Sequence, residues 1–202
     1  MGGYNLRFDA ELARARLESL AIPLNHPTGK LSGGQQAQVA LVLALAKRPD
    51  LLILDEPIAG LDPLARQEFQ QMLVEAVAES GQTVIFSSHL VSDLERTCDY
   101  LIILSDSRVQ LAGEIEQVLH THKRLIGPHE HAAAVARTHQ VLQCQEAERH
   151  TTLLVRTEGP VLDPAWIVQE LSLEDIILAY LANARSSSET PARQQKRLEA
   201  VQ

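Results

Sequence analysis

Along the first 125 residues, short blocks dominated by apolar side chains alternate with longer stretches in which apolar residues recur every three or four positions. Leu51–Leu54, Thr83–Phe86 and Tyr100–Leu104 are such blocks. They predict strands, the first two buried on both faces of a parallel sheet. The periodic stretches predict helices. Glu11–Leu20 carries Leu12, Leu17 and Leu20 on one side, and Pro23 and Pro27 then force a non-helical connection. A helix is expected from Ser32, its N-cap, to Lys47, where Lys47 and Arg48 suit the negative helix end and Pro49 stops it. Pro63 opens another, with Phe69, Leu73 and Val77 along one face and Gly81 as its stop. Leu90–Thr97 and Glu114–His122 read as helices and Arg108–Ala112 as a strand. Strands alternating with helices at these spacings indicate a layered α/β core over residues 1–123.

The pattern changes after Leu125-Ile126-Gly127-Pro128. Val141–Cys144 and Thr152–Val155 read as strands around the polar Gln145–His150 turn. Ser172, with Asp175 three positions on, caps a helix whose stripe is Leu173, Ile176, Ile177, Tyr180 and Leu181. Residues 124–184 are therefore expected to form a small α+β appendage, and the polar residues 185–202 a disordered tail. No internal repeat is visible.

Composition narrows the function. Of the 202 residues 45% are hydrophobic and 22% charged, ordinary for a globular chain, but only 3% are aromatic, so the core must be aliphatic. A formal charge of −8 has the wrong sign for a protein that grips nucleic acid by phosphate neutralisation, and no nucleic-acid partner is expected. Cys98 and Cys144 are far apart, which argues against a disulfide framework and fits a reducing cytosol. The apolar stretch Val39–Ala46 is too short to cross a bilayer, and Met1-Gly2-Gly3-Tyr4 has no secretory pattern. Any service to a membrane must run through a partner.

Three short motifs carry chemistry. In Ser32-Gly33-Gly34-Gln35 two glycines at a helix start let the backbone approach a ligand closely. Their N–H groups, the Ser32 hydroxyl and the positive helix end together make an anion site. The bland alternative is an ordinary glycine-containing cap. Leu51–Leu54 runs straight into Asp55-Glu56, and ligands in open parallel sheets lie beyond the carboxyl ends of the strands. His89, just past the next strand and after Ser87-Ser88, belongs to the same edge. A lone histidine after a strand is more often a plain surface residue, so its position carries the assignment. His120, His122, His129 and His131 cluster loosely, but nothing completes a metal site, and a solvated helix end is the better reading.

Leu31-Ser32-Gly33-Gly34-Gln35, then Leu51–Pro57, then Ser87-Ser88-His89 resemble, in this order, the signature, Walker B and switch-histidine motifs of ABC-type ATPases. Gly60-Leu61-Asp62-Pro63 is similar to the family's D-loop. The resemblance covers residues 12–123 and implies a partial P-loop NTPase fold, ATP and Mg²⁺ as cofactors, and ATP hydrolysis coupled to transport. It implies that Asp55 holds Mg²⁺, that Glu56 orients and polarises the attacking water, and that His89 contacts the γ-phosphate. Ser32, Gly33, Gly34 and Gln35 would close over ATP held by a second cassette, and Asp62 would communicate between the two sites. A dimer follows, together with a transmembrane permease that would hold the protein at the inner face of the membrane.

The chain departs from the family in two places. No G-x-x-x-x-G-K-[ST] loop is present: the single Gly-Lys pair, Gly29-Lys30, is followed by Leu31 and has Leu24 where the first glycine belongs. Gln36-Ala37-Gln38 stands where family members usually carry basic residues. The chain thus resembles the downstream part of a cassette, inactive on its own. Two alternatives are a non-catalytic remnant that pairs with an intact ATPase and a soluble ABC protein outside transport. The Ser172–Leu181 helix looks similar to the ends of subunits that serve a separately encoded exporter permease, which implies export.

Overall fold

A computed structural model describes residues 8–147, 150–161 and 163–185. The chain divides into two compact units, Met1–Thr97 and Cys98–Gln202.

In the first unit, helix α1 (Ala10–Ser19) is capped by Asp9, whose carboxylate accepts from the Leu12 N–H. After a single 3-10 turn at Thr28–Lys30 come α2 (Gly33–Ala46), β1 (Leu51–Leu54), α3 (Pro63–Ser80), β2 (Thr83–Phe86) and α4 (Val91–Thr97). Both strands lie where the apolar blocks predict them and pair in parallel, from Leu51↔Thr83 to Leu54↔Phe86. Local signals set the helix ends. Asp62 caps α3, Pro63 occupies its first turn, and Gly81 ends it in the left-handed conformation at φ 66°. The core forms where α2 presents Leu41, Val42, Leu45 and Ala46 and α3 presents Phe69, Met72, Leu73 and Ala76, closed by Leu52 from β1. These positions follow the i, i+3, i+4 spacing of a single helix face. Burying each large side chain contributes about 1.5–3 kcal/mol.

The two strands were expected to be buried on both faces, and they are not. Leu52 is buried, but Leu51, Ile53 and Ile85 are 47%, 65% and 53% exposed. The side chains of a strand alternate between faces, and the apolar core of this unit lies on one of them. The β1–β2 sheet therefore presents an uncovered aliphatic face.

The second unit opens with a hairpin of β3 (Tyr100–Ser105) and β4 (Arg108–Glu114). Its two turn residues, Asp106 and Ser107, both have positive φ, 49° and 59°, the geometry of a tight two-residue hairpin turn. Helix α5 (Ile115–Thr121), β5 (His122–Gly127), α6 (His129–Thr138), β6 (Gln140–Glu146), β7 (Thr151–Arg156) and β8 (Ile167–Glu170) follow. The last four strands form an antiparallel sheet in the order β6-β7-β5-β8. A final helix, α7, occupies residues 173–185 and buries Leu173, Ile176, Ala179 and Tyr180. Its cap is the expected one: Ser172 Oγ accepts from Asp175 N–H at 3.1 Å and donates to the Asp175 carboxylate at 2.9 Å.

Three elements were not anticipated: β5, α6 and β8. The sequence boundary between residues 123 and 124 falls inside β5, whereas the compact units divide at Thr97/Cys98. The tail beyond Arg185 lies outside the described residues.

The histidines also need correcting, because His122 is not at a solvated helix end. It is 1% exposed, with Nδ1 2.7 Å from the Val118 carbonyl oxygen and Nε2 3.0 Å from the Tyr180 hydroxyl. With Nδ1–H donating to that carbonyl, Nε2 is left to accept the tyrosine proton, so the ring is neutral. Burial holds its pKa below the ordinary histidine value, helped by the positive charges of Arg156 and Lys123 and opposed by the Val118 bond. Unfolded chains therefore bind a proton that the folded unit refuses. The stabilisation is complete above the unfolded value of about 6.5 and is lost as pH falls below it. The thermal midpoint should drop between pH 7.5 and pH 5, and His122→Gln should flatten that slope. An equal slope in the variant would remove His122 as its cause.

Candidate active site

Because β1 and β2 are parallel and in register, the chain leaves both at the same sheet edge. Asp55 and Glu56 follow one strand, Ser87, Ser88 and His89 the other, and hydrogen bonds lace the two exits together. The Ser87 N–H donates to the Leu54 carbonyl at 2.9 Å. Ser87 Oγ donates to Asp55 Oδ1 at 2.7 Å and accepts from the Glu56 N–H at 2.8 Å. His89 Nδ1 lies 2.8 Å from Glu56 Oε2. Three of the predicted site residues, Asp55, Glu56 and His89, are thus brought into one cluster.

Glu56 stands in the left-handed region, at φ 46°. A non-glycine residue there costs of order 1–3 kcal/mol and is held by its surroundings. Here the Ser87 bond to its N–H and the His89 contact fix the carboxylate at the exit of the strand. The His89 and Glu56 side chains are 65% and 39% exposed, so the pair faces solvent and can meet a ligand.

The Ser32–Gln35 turn and Asp62 form a second cluster, at the starts of α2 and α3. Ser32 Oγ accepts from the Gln35 N–H at 3.2 Å, and the Ser32 N–H donates to Gln35 Oε1 at 3.0 Å. This reciprocal capping box is enough to explain why serine and glutamine occupy these two positions. The two glycines divide the remaining work. A Cβ on Gly33 would meet nothing within 4 Å, whereas one on Gly34 would lie 2.7 Å from Ala65 Cβ. Gly34 is therefore needed for the close approach of α2 to α3, and Gly33 leaves the turn open to a ligand. Asp62 Oδ1 accepts from the Leu64 and Ala65 N–H groups, both at 3.0 Å. Ala65 thereby joins the Asp62 cap to the glycine turn.

Sequence reasoning missed a third layer behind His89. Asp93, 3% exposed, accepts from Ser88 Oγ and from Gln70 Nε2, each at 3.1 Å. The Arg66 guanidinium lies 3.9 Å away. Arg66 and Gln70 stand four apart on α3, a spacing that places both on one face, but nothing in the sequence tells which face meets α4.

Residues 5–59 match the family model described as ABC transporter. Curated relatives agree. An energy-coupling factor transporter ATP-binding protein, EcfA2, of Clostridium perfringens is 39% identical over 112 residues, covering 55% of this chain and 38% of the relative. The ABC transporter ATP-binding protein YtrB of Bacillus subtilis is 32% identical over 112 residues, with the same coverage of 55% and 38%. Residues 5–59 are therefore similar to a segment of ABC-type ATPases. Among solved structures, cbiO1 of Clostridium perfringens, described as part of the ABC transporter complex cbiONQ, is similar at 35% identity, with 55% of this chain and 45% of that chain covered and a TM-score of 0.48. The match spans about two-fifths of the length of these curated relatives, 38% in both.

The chemistry of the Asp55, Glu56 and His89 edge fits part of a nucleotide site. Mg²⁺ is a hard cation that takes one or two carboxylates and completes its shell with water and phosphate oxygens. Asp55 offers such a carboxylate, one oxygen already oriented by Ser87. The phosphate-cradling loop is not among the residues of this sequence. Among the described residues, no group of three or more His, Cys, Asp or Glu side chains is placed to hold a metal ion by itself, and no helix is long and apolar enough to cross a membrane.

Proposed function

We propose that this chain contributes the water-activating edge and the signature turn of an ATP-hydrolysing subunit of an ABC transporter. The observation that carries the reading is the hydrogen-bonded set Asp55, Glu56 and His89 at the carboxyl ends of two parallel strands. Asp55 would hold Mg²⁺, which neutralises phosphate charge when bound. Glu56 accepts from His89 through Oε2 and turns Oε1 toward a water, from which it takes the proton as the water attacks. His89 keeps that carboxylate aimed and reaches the γ-phosphate with the imidazole edge that Glu56 does not occupy. Ser32, Gly33, Gly34 and Gln35 act on nucleotide held by a second cassette, with the open backbone at Gly33 as the point of approach. A permease completes the assembly and brings it to the inner face of the membrane. Export is the finer part of the proposal and rests on α7 alone.

Because the signature turn serves a partner's nucleotide, hydrolysis must be a property of dimers. An intact cassette made by joining a P-loop half to this segment should show Mg²⁺-dependent turnover per subunit that rises steeply with protein concentration. Turnover per subunit that is flat across the dimerisation range would overturn the shared-site reading.

A further inference from the structure

We propose that Asp93 is a positioning residue for His89, acting through Ser88. The proposal rests on the hydrolytic reading of Glu56 and His89 given above and adds residues that no motif assigns. Asp93 is on α4 and is buried, yet it caps nothing: its two carboxylate oxygens turn away from its own helix, Oδ2 toward Ser88 and Oδ1 toward Gln70 and Arg66 of α3. A buried carboxylate costs several kcal/mol unless every lone pair finds a donor, so such a group fixes the geometry of whatever donates to it. The donor that matters is Ser88. Its hydroxyl gives its proton to Asp93 and accepts from the Leu90 N–H at 3.1 Å, so one side chain ties both ends of the Ser88-His89-Leu90 turn.

The neighbouring serine does the complementary task. Ser87 faces the sheet edge and locks Asp55 and the Glu56 backbone, while Ser88 faces inward and locks the histidine turn to Asp93 of α4, which Gln70 in turn ties to α3. His89 itself is exposed and, among the described residues, its side chain bonds Glu56 alone, at 2.8 Å, so its aim depends on the backbone beneath it. Arg66 and Gln70 carry the connection one step further. They lie on the helix whose first turn Asp62 caps, which makes α3 the rigid element linking the cap to the histidine.

The test reads the His89 imidazole directly, by nuclear magnetic resonance on the full chain, with Glu56→Gln as the reference for a changed contact and His122, in the other unit, as an internal control. In Ser88→Ala the His89 ring resonances should move at least halfway toward their Glu56→Gln positions, with those of His122 unmoved. Asp93→Asn should move them in the same direction, and Ser88→Thr, which keeps the hydroxyl, should return them to wild-type values. A folded Ser88→Ala chain with His89 at its wild-type position overturns the proposal, as does a joint shift of His89 and His122, which marks a general loss of structure. His89 resonances unmoved in Glu56→Gln overturn the Glu56–His89 contact itself, and the hydrolytic reading with it.

Discussion

Replacing Glu56 by glutamine in an intact cassette should cut ATP turnover by about a hundred- to ten-thousand-fold, the range for removal of a positioned general base. The amide keeps the shape of the carboxylate but not its charge, so the backbone geometry of the edge survives while the contact with His89 is altered. What it cannot do is accept the proton of the attacking water. Nucleotide binding draws on other groups and should be retained. The variant should therefore accumulate as a nucleotide-bound dimer, because the interactions that close the two subunits form but the step that releases them does not follow. Phosphate release measured beside elution volume with and without ATP checks both halves of the expectation. Turnover close to that of the unaltered cassette would remove Glu56 from the chemistry.

The first unit was legible because its signals are local. Ser32 at the head of one apolar-periodic run, Pro63 at the head of another and Gly81 after it each fix a helix end without help from distant residues. The convergence of Asp55, Glu56 and His89 was legible for a different reason. Two short apolar blocks joined by a helix have the pattern of a parallel strand–helix–strand unit, and parallel strands deliver their carboxyl ends to one edge.

What was not legible depends on partners far away in sequence. Strand β5 begins His122-Lys123-Arg124, which reads as a polar helix end. In the fold His122 is buried against Tyr180, 58 residues later, and Lys123 pairs with Glu170. The same holds for β8, whose Ile167 and Val168 are exposed and gain strand character only by pairing with β5. The role of Asp93 was hidden likewise, since a carboxylate in the first turn of a helix is usually there for the helix dipole. Only the packing of α4 on α3 turns it toward Ser88.

The chain by itself should neither bind ATP tightly nor hydrolyse it. Phosphoryl transfer is catalysed almost entirely by positioning and charge stabilisation, and the greatest share of phosphate contact in this class of enzyme comes from the P-loop backbone and its lysine. This sequence holds neither. Its contributions are Asp55, Glu56 and His89 on one edge and a glycine turn at the start of α2. Two carboxylates side by side repel a polyphosphate, and one shared Mg²⁺ offsets that repulsion without supplying the missing donors. Affinity should be weaker than about 1 mM, a binding free energy of about −4 kcal/mol or less in magnitude. The uncovered aliphatic face adds a second expectation. Leu51, Ile53 and Ile85 expose apolar side chains on one face of a two-stranded sheet, and such surface favours self-association. Calorimetric titration with ATP and Mg²⁺, phosphate release beside a Glu56→Gln control, and sedimentation over a range of concentrations address both expectations. Micromolar binding, or turnover that Glu56→Gln abolishes, would show that the edge and the turn make a working nucleotide site without a P-loop.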